Sequence, residues 1–133
     1  MQITLSWTRV VDTAADEGER VTREALWEAM LHKAENPVGY VPAITECRVV
    51  ERYPDGGYLR EAHRGKRILR QRVKPDKAAW RITFRSSDTT DFAEIANQVG
   101  ETGDGRLTLT LLLTLTEDAS AAAAGVSRGY LGS

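Results

Sequence analysis

Glu61 and His63 stand two positions apart in a stretch that alternates like a strand. Side chains at that spacing share one face and lie about 7 Å from each other. That is too far for a dependable direct bond, yet close enough to flank one substrate, so the pair could supply an acid and a base near neutral pH. Asn97 is a third polar candidate, able to hold a carbonyl oxygen through its amide. The plainer alternative leaves His63 solvated at an open sheet end. His32, beside Lys33, reads as an ordinary helix residue, and Cys47 reads as a small core hydrophobe with no activating motif around it. Two distant histidines and one cysteine offer no ligand spacing, so no metal site and no cofactor are expected.

Something must position these groups, and the composition limits what it can be. A chain of 133 residues fits one domain, 1–133, with a tail from about 125 that can fray. Its apolar share of 41% is that of a globular protein and argues against disorder. Eighteen basic and nineteen acidic residues leave a net charge of -1, which gives no field to draw in nucleic acid or an anionic membrane. Neither is expected as a partner. Met1–Val11 alternates and lacks the basic start and apolar run of a signal peptide, and the most apolar stretch, Leu107–Leu115, is too short to span a bilayer. A cytoplasmic protein is the expectation.

The hydrophobic period assigns the elements. Gln2–Val11 alternates as a strand with Ile3, Leu5 and Trp7 on one face, and Asp12–Glu19 is an acidic loop. Thr22 can cap a helix over Ala25–Glu35 whose stripe holds Leu26, Trp27, Met30, Leu31 and Ala34. Pro37 ends it, and Tyr40 lies in the packed turn that follows.

From Ile44 the period becomes two. Strands are expected at Ile44–Tyr53, Tyr58–His63, Lys66–Lys74, Lys77–Arg85, Thr90–Val99 and Arg106–Thr116, with Asp55-Gly56-Gly57 as a strong hairpin signal. Glu117–Ala124 has the composition of a short closing helix. Seven hairpin-linked strands make an antiparallel sheet whose apolar face needs the helix as cover.

Choosing the apolar-led row on each strand turns a set of side chains toward the helix. These are Cys47, Val49 and Glu51 on the second strand, and Leu59, Glu61 and His63 on the third. The fourth supplies Arg67, Leu69, Gln71 and Val73, the fifth Trp80, Ile82 and Phe84. Ile95 and Asn97 follow on the sixth, and the leucine row containing Leu111 on the seventh. Arg67 would then be a buried cation in need of a partner. The basic residues of 60–74 could line a face for an acidic partner, or form a solvated outer surface.

The run Thr22-Arg23-Glu24-Ala25-Leu26-Trp27, then Lys33-Ala34-Glu35-Asn36-Pro37 and Tyr40-Val41-Pro42-Ala43-Ile44, resembles the opening of the AtaL-like branch of the START-like (SRPBCC) superfamily. The resemblance implies an α+β helix-grip fold: a seven-stranded curved antiparallel sheet wrapped on a helix, with a short C-terminal helix. Such folds usually close with a long terminal helix, whereas here helical composition stops at Gly125. The pocket would be more open, or closed by a second copy, which makes a homodimer the expected assembly.

The resemblance further implies a hydrophobic small-molecule substrate, polyketide-like and from specialised metabolism. A cyclase-type catalyst would hold it, with Glu61, His63 and Asn97 as the polar groups. Trp7, Met30, Tyr40, Val49, Arg67, Gln71, Trp80, Phe84, Ile95 and Leu111 would form the contact surface. A non-catalytic carrier of a hydrophobic ligand, and an interaction or regulatory domain without ligand, stand as alternatives.

Overall fold

The computed structural model describes residues 3–11, 21–40, 42–86 and 92–122; the acidic loop Asp12–Glu19 and the tail from residue 123 lie outside them. The order is β1 (Thr4–Val10), α1 (Arg23–Glu35), β2 (Ile44–Arg52), β3 (Tyr58–Arg64), β4 (Arg67–Asp76), β5 (Arg81–Ser86), β6 (Phe92–Glu101) and β7 (Leu107–Leu115). Residues 117–122 are helical.

Helix α1 begins where sequence placed its cap. The Thr22 side chain accepts the Ala25 N–H at 3.0 Å, Glu24 lies in the first turn, and His32 and Lys33 lie in the last, each complementing the helix dipole. The helix ends with the Asn36 N–H on the His32 carbonyl, ahead of a buried Pro37. Trp27, Met30 and Ala34, spaced three and four apart, form its buried stripe. Thr22→Ala should cost about 1 kcal/mol of stability, read as a lower urea midpoint with an unchanged slope.

All seven strands form one antiparallel sheet in the order β1-β7-β6-β5-β4-β3-β2. Gly56, with φ of +86°, carries the β2–β3 turn in a conformation only glycine adopts freely, and a Cβ on Gly57 would come within 3.0 Å of the Val73 carbonyl. The core is the α1 stripe against Tyr58, Val73, Ile82, Phe84 and Val99.

Pairing register carries side chains in transverse rows across the helix-facing side. One row runs Tyr58–Val73–Phe84–Ile95–Leu113–Leu5, and the next runs Pro75–Ile82–Asn97–Leu111–Trp7. A third, Val49–Arg60–Gln71–Ser86, lies on the other flank of the first.

Two local expectations change. β5 starts at Arg81, because Trp80 takes φ of 53° at the end of the 77–80 turn. A left-handed tryptophan is a costly conformation. Its ring is held edge-on against Trp27, with centroids 5.9 Å apart, between Arg23 and Lys77. The larger correction is on β3, where Tyr58, Arg60 and Ala62 face the helix and Leu59, Glu61 and His63 do not. The row led by a leucine lost to the row led by a tyrosine, because Arg60 finds enough acceptors inside to be tolerated there.

Candidate functional site

Arg60 is 7% exposed and sits where β3 passes beneath the C-terminal end of α1. One η nitrogen donates to the Ala34 carbonyl at 2.6 Å; Nε and the other η nitrogen both donate to Gln71 Oε1, at 2.9 and 2.6 Å. The guanidinium lies 4.8 Å from the centroid of the Phe84 ring, a cation–π contact. A guanidinium has five N–H donors, so three bonds leave two for another acceptor. The carbonyl and the amide are neutral, and among the described residues no carboxylate pairs with Arg60. A buried cation so placed is costly and favours an acceptor with negative charge. Burial pulls its pKa down, but arginine stays protonated at neutral pH.

The titratable neighbours stay neutral. Burial raises the Cys47 thiol, with Arg60 opposing it, and raises the Tyr58 hydroxyl to about 12. Both groups therefore keep their protons in the folded state at pH values where the unfolded chain has begun to lose them. Stability should fall as pH climbs through the ordinary thiol and phenol ranges. Iodoacetamide should alkylate Cys47 at pH 8.5 more slowly than it alkylates the same thiol in urea, as thiol loss read by mass spectrometry will show.

The rest of the concave floor is apolar and half covered. Ile95, Leu109, Leu111 and Leu113 are half-buried, while Leu5 is 40% and Trp7 54% exposed on the same rows. Asn97 is half-buried between Ile82 and Leu111. Two strands lie between it and Arg60, and their rows are offset by four residues, which makes about 19 Å at the usual strand spacing and rise, so the two could touch opposite ends of one extended ligand.

The other expected residues divide. Val49 packs against the core, Met30 and Phe84 lie inside it, and Trp80 borders it. Gln71 orients Arg60, and the Ile95 and Leu111 rows face the helix as expected. Arg67 is on the inward row but exposed at the hairpin end, so the buried cation is Arg60, seven residues earlier. Tyr40 is 58% exposed against His32.

Glu61 and His63 lie on the opposite sheet face. There Arg48 and Arg70 grip the Glu61 carboxylate at 3.4 and 3.2 Å, and His63 Nδ1 stands 3.9 Å from Glu46. The missed residues are Arg60 and its companions Tyr58 and Ser86. The available signal was the Tyr58-x-Arg60-x-Ala62 alternation, read one position out of phase. Among the described residues, no three His, Cys, Asp or Glu side chains gather to hold a metal, and no helix is long and apolar enough to cross a membrane.

The family described as "AtaL: Acetylaranotin biosynthesis cluster protein L" matches the chain over residues 5–125. Among solved structures, the ZhuI aromatase/cyclase from Streptomyces sp. R1128 is similar at a TM-score of 0.63 and 15% identity, over 87% of this chain and 68% of that one. Ara h 8.0201 is similar at 0.53 and 12% identity, over 97% and 92% of the two chains. XoxI from Bacillus cereus is similar at 0.54 and 12%, over 96% and 87%. These likenesses establish a START-like helix-grip fold. No curated protein sequence matches the chain.

Proposed function

Starting from a chain that belongs to the AtaL family, we propose that it binds a hydrophobic, polyketide-like small molecule across the concave sheet and acts on it as a cofactor-independent, cyclase-type protein. The observation that carries this reading is the buried Arg60, bonded among the described residues only to neutral acceptors, beside a half-covered apolar floor. The floor would press a flexible chain into a folded, near-reactive shape. Arg60 would hold a carboxylate, or polarise a carbonyl oxygen, through donors already oriented by Ala34 and Gln71. Asn97 would take a second carbonyl farther along the chain. Arg60 supplies charge and hydrogen bonds, not proton transfer.

A non-catalytic carrier is the second reading. It is favoured by the two titratable groups beside Arg60, Cys47 and Tyr58, both held protonated by burial and so poor bases. The similarity to an aromatase/cyclase fold favours the first reading.

Titration with the neutral fluorophore N-phenyl-1-naphthylamine tests the shared premise. Saturable fluorescence that Leu111→Asp weakens by about tenfold or more is expected, since a charge set in an apolar floor is poorly tolerated. Binding that does not saturate, or that ignores Leu111→Asp, would reject the concave floor as the ligand site. Incubation with a linear poly-β-ketone then separates the two readings: an altered ratio of cyclised products marks the catalyst, and an unaltered ratio the carrier.

A further inference from the structure

The face of the sheet turned away from α1 carries an arrangement that ligand handling does not require. Register brings Arg48, Glu61 and Arg70 into one row across β2, β3 and β4, and Glu51, Leu59, Arg72, Arg85 and Glu94 into the next across β2 to β6. Lys74 follows Arg72 on the same face, two residues on. Among the described residues, five cations thus stand with three carboxylates, Glu51, Glu61 and Glu94, between the ends of this face, on a protein whose net charge is -1. At its ends stand Glu46 beside His63 and Arg81 opposite Asp76.

Arg72 and Arg85 are directly opposed across β4 and β5. Like charges in that relation destabilise a sheet, a cost that Glu94 and the Tyr53 ring offset and that a bound carboxylate would relieve further. The side chains are also held in place. Arg72 stacks over Tyr53 at 4.5 Å, Arg85 Nε bonds Glu94 at 3.0 Å, and Arg48 and Arg70 share Glu61. Ile68, at 50% exposure on the same face, adds an apolar contact beside them.

We propose that this outer face of β2–β5 docks an acidic segment of a protein partner, with Arg72 and Arg85 as its central contacts. Oriented guanidinium forks match discrete carboxylates in two-point bonds. The interleaved Glu51, Glu61 and Glu94 break the field into separate forks, which suits spaced carboxylates better than the continuous phosphates of nucleic acid or a lipid surface. A chain with an isoelectric point near 6.1 also lacks the overall basicity that polyphosphate binding draws on.

The test is a fluorescein-labelled, glutamate-rich helical peptide read by anisotropy, with amide chemical shifts mapping the contact. Saturable binding that weakens with salt is expected, with shifts on β3–β5 and no binding of the glutamine version of the peptide. Arg72→Gln/Arg85→Gln should weaken binding by about tenfold or more, while N-phenyl-1-naphthylamine affinity and far-ultraviolet circular dichroism stay at their original values. Arg72→Glu alone provides a second, independent reversal. The proposal fails if the shifts fall elsewhere, if the arginine variants bind the peptide unchanged, or if phosphatidylserine vesicles or duplex DNA compete the peptide away.

Discussion

Replacing Arg60 with methionine should separate two ligands that differ in charge. The anionic fluorophore 8-anilinonaphthalene-1-sulfonate should lose roughly 10- to 150-fold in affinity, the worth of a charge-assisted hydrogen bond of about 1.5–3 kcal/mol. The neutral N-phenyl-1-naphthylamine should change by less than about threefold. Methionine keeps most of the apolar volume against Phe84 and removes the charge, the fork and the bonds to Ala34 and Gln71. Arg60→Lys, retaining charge without the fork, should fall between the two.

Because a general loss of structure would weaken both fluorophores together, the ratio of the two affinities is the decisive reading. An unchanged ratio would show that the buried cation plays no part in recognition. Glu61→Gln and His63→Ala, on the far face of the sheet, should leave both affinities as they were.

The largest stability effect is expected at Trp27, 2% exposed at the centre of the α1 stripe. Trp27→Ala removes the buried indole and its edge-on contact with Trp80. It should cost about 3–5 kcal/mol, a large part of the 5–15 kcal/mol typical of a whole domain. The loss extends past the cavity, since Trp27 also braces Trp80 in its left-handed conformation. Trp7→Ala is the matched control: the same residue type, 54% exposed, should shift stability by no more than about 0.5 kcal/mol. Urea unfolding followed by circular dichroism distinguishes them. Equal losses at both positions would mean that α1 does not cover the core as described.

The helix, its Thr22 cap, the seven strands and their hairpins were legible in the sequence, because capping and alternation are local properties written within a few residues. The inward rows on β4, β6 and β7 were legible too, since on those strands one alternating row is plainly the more apolar. On β3 both rows are mixed, Tyr58-Arg60-Ala62 against Leu59-Glu61-His63, and local hydrophobicity cannot choose between them.

Tertiary structure made that choice through contacts remote in sequence. The α1 terminus offers the Ala34 carbonyl, β4 offers Gln71 and β5 offers the Phe84 ring, and together they make an arginine affordable inside. Arg48 and Arg70, from strands on either side, make the outer face the better place for Glu61. Period and capping thus determined which segments are strands and helix, while the identity of the polar group facing the concave floor depended on partners that only the folded sheet brings within bonding distance.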